Sequence, residues 1–137
     1  MELIFLIGRI LFAYLLIGSG IGHLTKTADM AAYAEMRKLP NAKLAVQVSG
    51  AALVLGGLSI LLGIWGDAGS LGVAILLAIT AVAMHAFWKE TEPMAKMMEM
   101  TSFNKDLALA GGALALYVIF YNTDGFGYYT ITGALFN

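Results

Sequence analysis

The chain has 137 residues, of which 60% are hydrophobic and only 12% are charged, whereas a soluble domain usually carries about 25% charged residues. So little charge cannot coat a globule of this size in water, and the surplus apolar surface is therefore expected to face lipid. The formal net charge of -1 excludes a basic surface for nucleic acid, and the absence of cysteine excludes disulfides, thiolate metal ligands and cysteine nucleophiles.

The first predicted element is a membrane-spanning helix at residues 3–24, broken only by Arg9. Because Glu2 is acidic and Arg9 lies inside the apolar run, we interpret this segment as a retained span and not as a cleaved signal peptide. A lone arginine near mid-membrane costs at least about 2.5 kcal/mol. We therefore expect Arg9 to reach the interface or to contact Asp67 or Asp124, and the alternative is a role in orienting a ligand.

A long polar connection follows, from Thr25 to Lys43. Apolar side chains recur in it at every third position, which predicts a short helix lying on the membrane surface; they are Met30, Tyr33, Met36 and Leu39. Pro40 is expected to end that helix, and Asn41 is expected to cap the next one.

The second and third spans are predicted at residues 44–66 and 68–88, which include charge-free runs of 23 and 21 residues. A hydrocarbon core of about 30 Å needs roughly 20 helical residues, so both runs are long enough to cross it. Only a minimal turn around Asp67 separates them. These two spans are therefore predicted to form a tight antiparallel hairpin.

The third connection, residues 89–106, contains a predicted helix start at Thr91-Glu92-Pro93. The residues after it share one helical face, which predicts a second short interfacial helix; they are Met94, Met97, Met98 and Thr101. The fourth span follows at about residues 105–121. The predicted fold is an all-α membrane protein with a single domain, 1–137, in which four transmembrane helices form an antiparallel bundle with two short interfacial helices.

Basic residues predict the orientation of this bundle. Seven of the eight Lys and Arg side chains lie in the two long connections, and only Arg9 lies on the opposite side. The positive-inside rule then places both connections in the cytoplasm and both termini outside.

Glycine pairs are expected to let the helices approach one another closely. Gly18 and Gly22 form a GxxxG pair in the first span, Gly56-Gly57 lies in the second and Gly111-Gly112 in the fourth. These contacts are either internal or between copies of the chain in a homo-oligomer, and the sequence leaves both open.

Polar residues are predicted to gather at one end of the bundle. Alternating helix directions put His23, Gln47 and His85 at a similar depth, together with Asn104 and Asp106. Such a pocket could hold a quinone head group, a small polar ligand, a metal or a haem between two histidines. The simpler interpretation is that these shallow side chains reach water and lipid headgroups.

Five methionines lie within seventeen residues, at positions 84, 94, 97, 98 and 100. With His85 they could bind Cu(I). We favour the interpretation that they form the apolar face of an interfacial helix, because no thiolate supports a copper site. No metal site is therefore predicted.

Several short motifs follow one another along the chain; they are Arg9 with Gly20-Ile21-Gly22-His23-Leu24, Tyr33 with Leu39-Pro40, Gln47 through Gly50, Leu55-Gly56-Gly57 with Leu62-Gly63, Met84-His85-Ala86-Phe87-Trp88 and Phe103-Asn104-Lys105-Asp106-Leu107. In this order and spacing they resemble the DoxX family of small four-helix bacterial membrane proteins. The chain departs from the family pattern twice, since His23 stands where lysine is common and Gln47 where glutamate is common.

The resemblance implies a link to membrane oxidoreduction, because the family includes a subunit of a thiosulfate:quinone oxidoreductase. It implies a subunit of a quinone-linked complex in a bacterial cytoplasmic (inner) membrane, with other membrane subunits as partners and quinone as a possible cofactor. The predicted ligand-binding residues are His85, Gln47, Asn104, His23 and Arg9. His85 would carry protons while Gln47 and Asn104 orient the ligand. The alternatives are a non-catalytic anchor or assembly subunit and, more weakly, a permeation pathway formed by an oligomer.

Overall fold

A computed structural model describes residues 1–123 and 127–137 of the chain. This part contains five α-helices and no strand; the helices are α1 (Glu2–Thr25), α2 (Thr27–Met36), α3 (Ala42–Leu62), α4 (Gly66–Met84) and α5 (Pro93–Tyr121). Two short 3-10 helices, Phe87–Lys89 and Gly127–Tyr129, complete it. Four of the helices, α1, α3, α4 and α5, are long and apolar enough to cross a membrane. The prediction of an all-helical chain with four spans is confirmed.

Residues that were assigned to the third connection belong instead to α5. This helix begins at Pro93, as predicted, and the Glu92 side chain caps it by accepting hydrogen bonds from the backbone N–H groups of Met94 (3.1 Å) and Ala95 (2.7 Å). These two bonds hold the pKa of Glu92 below its ordinary value. The helix is 29 residues long in all and ends at Tyr121. A separate second short helix is not confirmed, because no Gly or Pro interrupts positions 94–110.

The turn between α3 and α4 lies slightly earlier than the sequence indicated. Gly63 ends α3 in the left-handed conformation, with φ +63°, and α4 begins at Gly66. Asp67 thus lies in the first turn of α4, where a carboxylate is favourable, and it is fully buried. The turn is Gly63–Trp65, because glycine at the end of α3 adopts a backbone conformation that ends the helix.

The first connection contains a short helix, α2, where the sequence predicted one. Small side chains pack it against the start of α3 in a buried cluster; they are Ala31, Ala34, Ala42 and Val46. Met84, at the end of α4, packs against the same cluster. Asn41 occupies the N-cap position of α3, with a left-handed backbone and no hydrogen bond from its side chain to the helix. Through this packing, α2 covers one end of α3 and α4.

Large apolar residues point outward all along the four long helices. Leu11, Leu55, Ile79 and Val118 are each more than half exposed, and they lie on α1, α3, α4 and α5 respectively. A soluble protein would not expose so much contiguous apolar surface. This surface is the part of the molecule that faces lipid.

Close packing between α1 and α3 depends on a glycine that the GxxxG pattern did not select. A Cβ atom at Gly20 would lie 2.7 Å from the Gly50 carbonyl oxygen and 2.9 Å from the backbone nitrogen of Val54. At Gly18 a Cβ would meet no atom within 4 Å, and at Gly22 it would meet only the end of Met30 at 3.7 Å. Helices α1 and α3 are therefore in contact at Gly20 and Gly50. Gly20 lies between Gly18 and Gly22, the two glycines of the predicted pair.

We expect Gly20→Ala to lower the free energy of unfolding by about 1–3 kcal/mol, because its methyl group would collide with backbone atoms that cannot move independently. Gly18→Ala is the matched control on the same helix, and its methyl group has space. It should be neutral or stabilising by about 0.5–1 kcal/mol. Unfolding of both variants in detergent measures the difference, and equal stabilities would contradict the assigned contact.

Candidate functional site

A cavity of about 450 Å³ lies among the five α-helices. Its apolar walls come from all of them; the residues are Leu15, Leu16, Met30, Ala34, Leu39, Ala45, Val46, Leu53, Leu76, Leu77, Ile79, Ala83, Met84 and Leu109. Its polar residues are Ser19, His23, Tyr33, Ser49, Thr80, His85, Lys105 and Asp106. An apolar cavity with a few convergent polar groups is the usual form of a small-molecule site.

Charged and imidazole groups in this cavity are concentrated around His85. The hydroxyl groups of Ser49 and Thr80 donate to carbonyls of their own helices, at 3.0 and 2.9 Å. His85 follows the last residue of α4, and both of its ring nitrogens face carboxylates of α5. Nδ1 lies 2.8 Å from Glu99 Oε2, and Nε2 lies 3.6 Å from Asp106 Oδ2. The imidazole therefore stands between two acidic groups.

The two carboxylates differ in their surroundings. Asp106 is only 5% exposed and lines the cavity. Glu99 belongs to an outer network that also contains residues of α2. It accepts a hydrogen bond from the Tyr33 hydroxyl and forms an ion pair with Arg37 Nη2 at 2.8 Å. Asp106, His85 and Glu99 thus form a continuous row from the cavity to this outer network.

Arg37 joins the outer network to the segment before α5. Its Nη1 lies 2.7 Å from a carboxylate oxygen of Glu90, and its guanidinium lies over the Tyr33 ring. Burial raises the pKa of Tyr33, and the hydrogen bond to Glu99 raises it further, so the hydroxyl stays a donor. Burial lowers the pKa of Arg37, but hydrogen bonds with Tyr33 and Glu90 outweigh this and give a net rise.

The predicted ligand-binding residues fall into two groups at this end of the bundle. His85 and His23 line the cavity, and His23 Nδ1 lies 2.7 Å from the Ser19 carbonyl oxygen of its own helix. Gln47 and Asn104 are exposed and do not line it. The structure therefore brings the histidines together around the cavity and leaves both amides outside.

Arg9 lies at the opposite end and does not line the cavity. It is fully buried, and its guanidinium donates to four backbone carbonyls: Ile60 (2.8 Å), Leu61 (2.6 Å), Tyr128 (2.8 Å) and Tyr129 (3.2 and 3.3 Å). The expected contact with Asp67 is not formed, because carbonyls satisfy the guanidinium. The other expected partner, Asp124, lies outside the described residues.

Asp67 binds the C-terminal segment, residues 127–137, instead of Arg9. Its carboxylate accepts hydrogen bonds from the backbone N–H groups of Leu135 (2.9 Å) and Phe136 (2.8 Å). Arg9 holds the start of the same segment by donating to the carbonyls of Tyr128 and Tyr129. Arg9 and Asp67, both fully buried, therefore act on one segment: the arginine binds its acceptors and the aspartate binds its donors.

Sequence reasoning missed the outer network around Glu99. Tyr33 was assigned to an apolar stripe, and Glu99 to a surface connection. Glu99 and Asp106 are seven residues apart, which is close to two helical turns and puts both on one face of a helix. That spacing is the signal that points to the pair, once α5 is recognised as continuous from Pro93.

Comparison with known proteins gives one match. A family model described as DoxX matches residues 4–86, whereas no curated protein and no solved structure matches the chain. The matched region runs from the start of α1 to just beyond His85, so it includes three of the four apolar spans. It ends before Glu99 and Asp106, the acidic partners of His85. With four apolar helices and a family match over more than half of its length, the chain belongs to the DoxX family and is an integral membrane protein.

Proposed function

We propose that this chain binds a quinone in the cavity, as a subunit of a quinone-linked membrane oxidoreductase complex. The observation that carries the proposal is the cavity of about 450 Å³, with apolar walls and His85 paired to Asp106 among its polar groups. Apolar walls suit a quinone ring and its tail, and a titratable group is needed beside its oxygens. The electrons come from a redox centre in a partner subunit.

In this proposal His85 transfers protons between the outer network and the cavity. Reduction of a quinone to a quinol takes up two electrons and two protons. The electrons come from the partner, and each proton passes from Glu99 through the imidazole to the cavity side, where Asp106 lies. His23, which also lines the cavity, is the second candidate for contact with the ring. We expect little contribution from Gln47 and Asn104, because both are exposed.

We propose an antiparallel bundle in a bacterial cytoplasmic membrane, with both termini outside. Arg9, near the start of α1, contacts Ile60 near the end of α3, and Gly20, near the end of α1, contacts Gly50. These contacts support opposite directions for the two helices. A reporter enzyme that is active only outside the cytoplasm should be active when it is fused at Asn137. Activity of a reporter that works only in the cytoplasm would overturn the orientation.

Replacing His85 with glutamine should weaken quinone binding at least about tenfold, which corresponds to about 1.4 kcal/mol. The measurement is a titration of the purified protein in lipid nanodiscs with a short-chain quinone, followed by tryptophan fluorescence. Gln47→Ala is the control, because Gln47 lies at similar depth and outside the cavity. Unfolding curves of both variants show whether the fold is retained.

Two outcomes would contradict the quinone proposal. One is a folded His85→Gln variant that binds as tightly as the unmodified chain. The other is no binding to the unmodified chain at any accessible quinone concentration. A stable partner at fixed stoichiometry in mild detergent, with no bound quinone, would instead favour the non-catalytic anchor.

A further inference from the structure

We propose that the cavity takes its ligand sideways from the lipid, and that a hydrocarbon tail on the ligand lies in a groove on the outer face of α4. This inference rests on the proposed function and narrows it. The ligand class becomes a quinone with an alkyl or isoprenoid tail, and a tailless ring would leave half of the site empty.

The groove is a shallow, open depression along one short stretch of α4. Its residues are Ala78, Ile79, Val82 and Ala83, which recur at helical spacing on one face and are all apolar. Ile79 is 60% exposed and Val82 is 59% exposed, so this face points away from the core of the protein. In a membrane-spanning helix, such a face meets acyl chains.

Two of the groove residues, Ile79 and Ala83, also line the cavity. A residue that borders both spaces lies in the wall between them. On α4, Ile79 and Ala83 are therefore the side chains that separate the cavity from the lipid at this place.

Packing elsewhere on α4 limits where the cavity can open to the lipid. Near the α3–α4 turn the helices are in close contact: a Cβ at Gly69 would lie 2.5 Å from Ser59 Cβ. At the other end, Met84 packs against the cluster beneath α2. Between these two contacts lie Ile79 and Ala83. Since Ile79 and Ala83 are the α4 residues that border both spaces, the route from lipid to cavity passes beside them.

The chemistry of the two spaces is complementary to an amphiphile. The groove contributes no polar side chain, so it offers nothing to a head group. The cavity contributes His85, whose ring N–H can donate to a quinone oxygen, and Asp106, whose carboxylate can accept from a quinol hydroxyl. A molecule with a polar ring and an apolar tail fills both, with the ring inside the bundle and the tail along α4.

The test compares a decyl-tailed quinone with the same quinone ring that lacks the tail, both titrated into the full chain in nanodiscs. Ala78→Phe and Val82→Phe fill the groove from positions that do not line the cavity. Both variants should weaken binding of the tailed quinone, Val82→Phe by at least about tenfold, while the affinity for the tailless ring is retained.

Ala115→Phe is the matched control, because Ala115 is exposed on α5 and lines neither space. It should bind both quinones as the unmodified chain does. Unchanged binding of the tailed quinone to both groove variants would overturn the lateral route and leave the quinone proposal standing. Equal weakening of both quinones by the two groove variants would also overturn it, since the changes would then act on the ring and not on the tail. Failure of the unmodified chain to bind either quinone would overturn both proposals.

Discussion

Replacing Arg9 with alanine is expected to release the C-terminal segment, residues 127–137, and to lower the free energy of unfolding by about 3 kcal/mol or more. The guanidinium is fully buried and donates to carbonyls of α3 and of that segment. Ile60 and Leu61 lie in the last turn of α3, where carbonyls lack partners within the helix. Without Arg9 these acceptors are buried and unpaired.

The C-terminal segment depends on Arg9 for a second reason. Tyr128 and Tyr129, whose carbonyls it binds, have φ angles of +58° and +56°, in the left-handed region. Such a conformation in a bulky residue costs about 1–3 kcal/mol and persists only where surrounding contacts impose it. Loss of the guanidinium removes that constraint, so the segment is expected to leave the bundle.

Two measurements check the Arg9 prediction. Unfolding in detergent reports the stability, and limited proteolysis of the C-terminus reports whether the segment is released. Arg9→Lys keeps the charge but has no planar fork, so its stability should lie between those of the alanine variant and the unmodified chain. Lys96→Ala, at an exposed position, controls for the loss of one positive charge. An alanine variant with unchanged unfolding and proteolysis would show that the buried arginine does not hold the segment.

Glu99→Ala is expected to detach α2 from α5 and to destabilise the chain by about 3 kcal/mol. The Glu99 carboxylate binds Tyr33, Arg37 and His85 together. Its removal takes one partner from each. Glu99→Gln keeps the shape and some hydrogen bonds but loses the charge, so we expect a smaller effect.

Because the chain has no cysteine, labelling of a single introduced thiol can measure this detachment directly. Ala34 is fully buried on the face of α2 that packs against α3, so a thiol introduced as Ala34→Cys should resist a soluble maleimide. In the Glu99→Ala background the same thiol should react readily. Ala32→Cys, at an exposed position of α2, should react in both backgrounds. Equal protection of the Ala34 thiol with and without Glu99 would mean that other contacts hold α2 in place.

The four spans could be predicted from the sequence because a run of about 20 residues with almost no charge is what a helix needs to cross the hydrocarbon core. It predicted the first span at 3–24, and α1 covers Glu2–Thr25. It misplaced the start of the last long helix, since the charged residues between Glu92 and Asp106 suggested a connection. Charge does not interrupt a helix, whereas Gly and Pro do, and neither occurs in positions 94–110.

The face that each polar residue presents could not be predicted from depth alone. Each residue in a helix is turned by about 100° from the one before it. Asn104 and Asp106 are two positions apart and therefore face different directions, so the cavity contacts Asp106 while Asn104 is exposed. A single step separates Val46, which lines the cavity, from Gln47, which does not. The glycines follow the same rule, since Gly20 packs against α3 whereas a Cβ at Gly18 would meet no atom within 4 Å. Depth follows from the sequence, but direction depends on how the helices pack.

The length of α5 has a consequence for the row of acidic groups beside His85. A helix of 29 residues extends about 43 Å, roughly 13 Å more than the hydrocarbon core. Glu99 and Asp106 lie about 10 Å apart along its axis. A proton that passes between them under the proposed function moves along the membrane normal, and part of the transmembrane voltage acts on it. Protonation of a ligand in this cavity would then respond to the energised state of the membrane as well as to pH.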